Sequence, residues 1–320
     1  MSAFTVGRSG VVGKLPARPE YLPVPSHAPS FAALDTWLTA ASEWALRAAG
    51  ANWPEAFAHG AMHGFVFRGP GEPADSALCG ALSPSHDSAG RLFPLALGAP
   101  LRVDPELLTR SELLPFTLEG LWAAATNELS TLLRERSIDG AIAVELSAGE
   151  DADVAEAAQL YDGWAGTLPL AEFWALLGPA LVHPAATLRL VFEALAPARG
   201  VEPPTSSLSL RLPLGLVGGA ALCVWLDVVR RYLGWKKTLP SLFWSHDGTS
   251  GFALLHLGKP SKTALAELWL PSGDRDDVVD VTSAVDPAMT EAFPPLPAAV
   301  TSVLATPSAT VAQLLTSIGA

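Results

Sequence analysis

From residue 30 to residue 49 apolar side chains return every three or four positions. Phe31, Leu34, Leu38, Ala41, Ala45 and Ala48 form one stripe, and Trp37 and Trp44 widen it. This period predicts an amphipathic helix, with Ser30 as N-cap and Gly50 just past its C-terminus. Three strand-like runs follow, His63–Arg68, Ser76–Leu82 and Arg91–Leu97, separated by Gly- and Pro-rich turns. A second helical stripe runs over Thr117–Arg136 through Leu118, Leu121, Trp122, Ala125, Leu129 and Leu132.

Helical patterns continue through Ala155–Trp164 and Pro169–Leu177. The period then switches to two. Leu188, Leu190 and Phe192 alternate with Arg189 and Glu193, and Leu208, Leu210 and Leu212 with Ser209 and Arg211. Two half-buried strands are expected there, joined by the Pro-rich loop Ala196–Ser206. A helix over Val217–Leu233 comes next. The runs Ser241–Trp244 and Phe252–Leu257 flank Asp247-Gly248, a hairpin signal. Ser261 is placed to cap a last short helix bearing Leu265, Leu268 and Trp269. Beyond Pro271 the chain is rich in Pro, Ala and Thr, and Asp274, Asp276, Asp277 and Asp280 have only Arg275 as counter-charge. This stretch is expected to pack loosely or to be partly disordered.

Short connections between most strands predict an α+β fold, a central mixed and largely antiparallel sheet with helices on its faces. At 320 residues the chain is long enough for about two domain-sized units. The acidic stretch Gly149–Glu156 suggests a division into 1–145, 146–270 and an acidic Pro/Ala-rich tail, 271–320.

Charge narrows the function. A net charge of −12 and a pI near 5 disfavour nucleic-acid binding, which needs clustered Lys and Arg. The most apolar stretch, Leu212–Leu226, falls short of the ~20 residues of a spanning helix and holds Pro213 and three glycines. It reads as a strand end leading into a core helix, so no membrane insertion is expected, and the N-terminus shows no signal-peptide pattern. Cys79 and Cys223 sit in apolar runs and read as buried hydrophobes in a reducing cytosol.

The candidate chemistry is sparse. Gly7–Leu15 imitates a phosphate-binding loop but has Arg8 where Gly is needed and Leu15 where a hydroxyl would hold Mg²⁺. His59 and His63 stand four apart, but Gly60 and Gly64 argue against the helix that zinc ligands would use. Asp274–Asp280 lacks the turn Gly of a calcium loop, and Val285 replaces its bidentate Glu. Ser85-His86-Asp87 and Ser245-His246-Asp247 repeat the letters of a catalytic triad. Consecutive side chains diverge, however, and no Gly-x-Ser-x-Gly elbow is present. A cryptic hydrolase using Ser85 or Ser245 is the alternative to a protein without catalytic, cofactor or metal residues.

The most specific segment is Leu82–Leu95, in which Ser83-Pro84 and Asp87 lead into Gly90-Arg91 and Phe93-Pro94-Leu95. Asp87 can accept hydrogen bonds from the turn backbone, Gly90 permits a sharp turn, and Arg91 is near enough to pair with Asp87. Phe93 and Leu95 are expected on one face of the strand, with Pro94 at an edge or bulge. The turn is either locked by that pair or is a recognition surface. Upstream stands Gly13-Lys14-Leu15-Pro16-Ala17-Arg18. Together these segments resemble the signature of the TagF (ImpM) family of type VI secretion accessory proteins. The likeness covers Val11–Leu101 and extends more weakly to Pro240–Trp244 and Leu257–Pro260. Pro19-Glu20-Tyr21 departs from the family's Gly-Asp-Phe. The resemblance implies a cytoplasmic, non-enzymatic, post-translational repressor of type VI secretion, acting by binding the forkhead-associated scaffold protein Fha. The partner surface is then expected at Gly13, Lys14, Leu15, Pro16, Arg18, Ser83, Pro84, Asp87, Gly90, Arg91, Phe93 and Pro94.

Overall fold

The computed structural model describes residues 3–135, 145–146, 153–204, 207–271 and 277–319. Its first half holds β1 (Phe4–Val6), β2 (Gly10–Gly13), α1 (Pro29–Ala49), α2 (Asn52–Ala58), β3 (His63–Phe67), β4 (Ser76–Ser83) and β5 (Leu95–Val103). Then come α3 (Pro105–Thr109), a 3-10 turn at Ser111–Leu113, α4 (Leu114–Thr117) and α5 (Glu119–Arg134). The second half continues with α6 (Val154–Thr167), α7 (Leu170–Leu177), α8 (Pro184–Leu195), β6 (Ser209–Pro213) and α9 (Gly219–Leu233). Last are β7 (Ser241–His246), β8 (Gly251–His256), α10 (Ala264–Trp269), β9 (Val278–Asp280), α11 (Pro287–Thr290), α12 (Ala298–Leu304) and α13 (Val311–Ile318).

One sheet runs through both halves in the order β1-β5-β4-β3-β7-β8-β6-β9, with β2 beside β1 on the edge of β5. Every pairing is antiparallel except β6 with β9. The fold is therefore α+β with a mixed, mostly antiparallel sheet. The halves join where β3 lies against β7, Phe65 opposite Phe243. Side chains alternate across the pleat. Phe65, Phe67, Leu78, Leu82, Phe243 and Leu254 meet α1 and α10 on one face. Val66, Cys79, Ala81, Leu97, Leu242 and Leu255 belong to the core under α5 and α9 on the other. The expected Phe31/Leu34/Leu38 face of α1 does seat on this sheet. Its start is shifted, for Ala28 is the N-cap, with Pro29 at the first turn. Both cysteines are buried and free.

Four expectations need correction. Residues 188–192 are helical, within α8. Leu188, Val191, Phe192 and Leu195 are buried at i, i+3, i+4 and i+7, a stripe that the shorter Leu188/Leu190/Phe192 alternation hid. The strand expected at Arg91 begins at Leu95, because Pro94 has no N–H for the ladder. Thr263, not Ser261, stands at the N-cap of α10, and Ser261 gives its carbonyl to the Trp37 indole N–H instead. The described part of the tail is packed. Val300, Val311, Leu314 and Leu315 are buried, and Ala309 and Val311 exchange backbone bonds with Leu170 and Leu168. Asp280 pairs with Arg211 at 3.1 Å. Asp274 and Asp276 lie outside the described residues.

Candidate functional site

The two motif segments meet in space at the β2 end of the sheet. β2 pairs with β5 so that Gly13 lies opposite Leu95. Gly13 has φ +119°, and a Cβ there would come within 2.0 Å of the Pro94 carbonyl oxygen. Only glycine fits this close approach. The chain then turns through buried Leu15, with Arg18 N–H donating to Leu15 O, and returns so that Leu22 N–H reaches Gly13 O. Lys14 bridges to Tyr21 in this return.

On the opposing segment, β4 ends at Ser83, whose hydroxyl donates to Pro84 O. Ser85 Oγ donates to Lys14 O at 2.7 Å, and Ser88 N–H donates to Arg18 O at 2.9 Å. Asp87 sits at the junction with no exposed surface. Its Oδ1 accepts from the backbone N–H groups of Ala89 and Arg91. Its Oδ2 meets Arg91 Nε at 2.6 Å and Lys14 Nζ at 3.0 Å. Arg91 also donates to Pro19 O at 2.7 Å, tying the two segments together. Burial alone would raise the Asp87 pKa. The Arg91 N–H, the Lys14 ammonium and the Arg91 guanidinium outweigh it and hold the carboxyl well below the usual carboxylate range.

Phe93 extends the junction, its ring edge-on to Tyr21 with centroids 5.2 Å apart. The Tyr21 hydroxyl bonds Asp35 on α1; burial first, and then this bond, push the phenol pKa up. Gly90, at φ +79° with open space around it, makes the turn between Asp87 and Arg91. All twelve motif residues thus fall in one region. Lys14, expected as a cation open to a partner, has a half-buried side chain committed to Asp87. Arg91 is different, since its side chain is 63% exposed while paired.

Neither Ser-His-Asp sequence forms a relay. Ser85 is spent on Lys14 O, and His86 Nδ1 faces Asp87 O at 2.8 Å. In the β7–β8 hairpin, Gly248 N–H donates to His246 Nδ1 and His246 Nε2 donates to Gly215 O. Both nitrogens are occupied, so His246 is not free to act as a base for Ser245. Asp247 caps the turn, accepting from the backbone N–H groups of Thr249 and Ser250; those bonds hold its carboxyl far below the usual range. The glycine-rich segment at Gly10–Gly13 is a paired strand. His59 is exposed at the end of α2 while His63 is buried in β3, and among the described residues no acid, His or Cys cluster suits a metal.

The sequence reading missed a second charged centre. Glu112 and Asp227, both fully buried, share Arg230, whose Nε lies 2.7 Å from Glu112 and whose Nη2 lies 2.7 Å from Asp227. Arg110 and Arg231 complete it. Burial, and then the Asp227 charge, raise the Glu112 pKa. The only signal was Asp227, Arg230 and Arg231 at i, i+3 and i+4 in an otherwise apolar helix. Every guanidinium there already holds a carboxylate, so the centre reads as a strut between the 3-10 turn and α9.

Residues 10–147, which include both motif segments, match the model of the TagF N-terminal domain, described as type VI secretion system-associated. Among solved structures, the crystal structure of PA0076 from Pseudomonas aeruginosa PAO1 is similar at 17% identity and a TM-score of 0.44. The alignment covers 83% of this chain and 96% of that one. No curated protein matches the chain.

Proposed function

We propose that this chain, a TagF-family protein by its residues 10–147, is a non-enzymatic cytoplasmic repressor of type VI secretion that works by binding the forkhead-associated scaffold protein Fha. The association with type VI secretion follows from the domain match, and a regulatory role agrees with it. The observation that carries the reading is that the matched domain brings both motif segments onto one face around Asp87. The serines that a hydrolase would need are engaged with backbone carbonyls or lack a free base. Among the described residues no helix is long and apolar enough to cross a membrane.

On this reading the partner surface is the outer part of the junction, the exposed Gly90 and Arg91 with the half-buried Arg18 beside them, and Lys14 and Asp87 hold it in shape. The test is capture of purified Fha protein by the full chain, together with a secretion assay in cells that overproduce it. Capture with lowered secretion is expected. Unchanged secretion and no capture would overturn the proposal.

A further inference from the structure

Between α5 and the start of α9, on the sheet where its two halves join, lies a pocket of about 580 Å³. Its back wall is aromatic. Trp244 on β7 stands opposite Gly64 on β3, and its five-membered ring covers that glycine so closely that a Cβ there would come within 2.6 Å of Nε1. Trp122 on α5 meets Trp244 edge to face, with centroids 5.2 Å apart, and its indole N–H donates to Phe65 O at 3.1 Å. Phe116 and Met62 extend this wall. The two indoles are thus fixed by β3, β7 and α5 together.

The polar groups lie at the mouth. Glu119, Ala123 and Asn127 follow at four-residue steps along α5, and all three are exposed and line the pocket. Among the described residues Glu119 pairs with no cation, and the side chains of Asn127 and Ser245 have no hydrogen-bond partner. No Lys or Arg lines the pocket, and His246, whose Nδ1 accepts the Gly248 N–H, is uncharged in that arrangement. The N-terminus of α9 reaches the wall at Gly219. The partial charge of a helix end is screened at the surface and falls off within one turn, whereas Glu119 carries a full charge. Aromatic faces beside a carboxylate are the chemistry that receives a cation, because the ring quadrupole attracts positive charge within about 6 Å of a centroid.

We propose that this pocket takes an arginine side chain presented by an extended segment of a protein partner. The guanidinium lies against the indoles, and its N–H groups donate to the Glu119 carboxylate and to the side-chain oxygens of Asn127 and Ser245. A planar guanidinium stacks on a ring and donates in its own plane at once, which a lysine ammonium does not. The volume falls in the middle of the range for ligand clefts, about 300–1,000 Å³, and is more than one side chain fills. The mouth runs along α5, so the residues on either side of the arginine have a place to lie. The net charge of −12 draws such a segment in. The inference goes beyond the regulator reading and does not rest on it, because it concerns the α5 wall and not the junction around Asp87.

The test is fluorescence polarisation with the full chain and a labelled peptide, Ser-Leu-Arg-Leu-Ser, beside a counterpart with citrulline, the uncharged isostere of arginine. The arginine peptide should bind, and the citrulline peptide should bind at least about tenfold more weakly. Glu119→Gln should weaken the arginine peptide at least about fivefold, and Trp244→Leu at least about tenfold. Glu128→Gln, at an exposed carboxylate of the same helix outside the pocket, should leave binding unchanged. Glu119 is exposed, so its neutralisation leaves the fold intact and is the deciding variant. Failure of the arginine peptide to bind, equal binding of the citrulline peptide, or unchanged binding by Glu119→Gln overturns the proposal. So does an equal loss with Glu128→Gln, which would make the attraction a general one of an acidic surface. Binding of N-acetyl-arginine amide as tightly as the peptide would also overturn it, by making this a site for a small cation.

Discussion

Lys14 Nζ lies 3.0 Å from Asp87 Oδ2, and the carboxylate it neutralises has no exposed surface. The two residues come from the two separate segments of the motif, so this contact, with Arg91, converts two short sequences into one structural unit. A buried carboxylate is tolerated only when paired and hydrogen-bonded, and Asp87 has both kinds of partner.

Asp87→Asn should therefore destabilise the protein well beyond an ordinary surface change, which falls within about 0.5 kcal/mol. Lys14→Met and Arg91→Ala should each cost less, because the remaining cation still neutralises the carboxylate. Their double mutant should lose more than the sum of the singles. Urea unfolding of the four proteins measures this, and strict additivity would show that the two cations act independently.

Stability should decline on acidification before carboxylates titrate. His63 and His256 are buried, and burial lowers their pKa values to about 4 and about 3. In the unfolded chain they titrate near 6.5. Folded pKa values below unfolded ones mean that the unfolded state binds more protons, so stability present above about pH 6.5 is lost as pH falls toward 4 and 3. Each should remove roughly 2 kcal/mol between about pH 7 and about pH 5. Asp87 and Asp247, with lowered pKa values, add a further loss only as pH falls below about 4, where unfolded carboxylates protonate. Urea midpoints against pH for the wild type and His63→Phe check the first window. An identical slope in the variant would remove His63 from the account.

Two glycines of the motif should respond differently to alanine. Gly90→Ala meets open space and costs only the left-handed conformation, about 1 kcal/mol. Gly13→Ala adds a clash with the Pro94 carbonyl and should cost clearly more. Thermal unfolding of both variants decides it, and equal losses would contradict the close approach of β2 to Pro94.

The C-terminal segment should be needed for folding. Thr310 and Gln313 form a capping box at α13, whose Val311, Leu314 and Leu315 are buried. Thr310→Ala should cost about 1 kcal/mol. Ending the chain after Leu270 should leave a protein that circular dichroism and limited proteolysis find loosened. A truncated chain as resistant as the whole would show that the fold does not need this segment.

Local pattern was enough for elements that bury a clear stripe or carry a sharp turn. Helix α1, the β7–β8 hairpin around Asp247-Gly248 and the α5 stripe through Trp122 were all legible in the sequence. The chemical types at Gly13, Lys14, Asp87 and Arg91 were legible too, as was the Asp87–Arg91 pair, because four residues of a tight turn bring its ends together. Tertiary structure decided what depends on residues far apart in the chain. It set Lys14 on Asp87, laid β3 against β7, and joined Glu112 to Asp227 through Arg230. It also made residues 188–192 a helix and packed the tail. Leu188 and Phe192 satisfy both a period of two and a step of four, and only a neighbouring surface to bury Val191 and Leu195 separates them. For the tail the acidic composition argued for solvent, whereas Val300, Val311 and Leu314 find a core to which the rest of the chain contributes. Composition sets how much apolar surface a segment has, and the fold sets whether anything lies opposite to bury it.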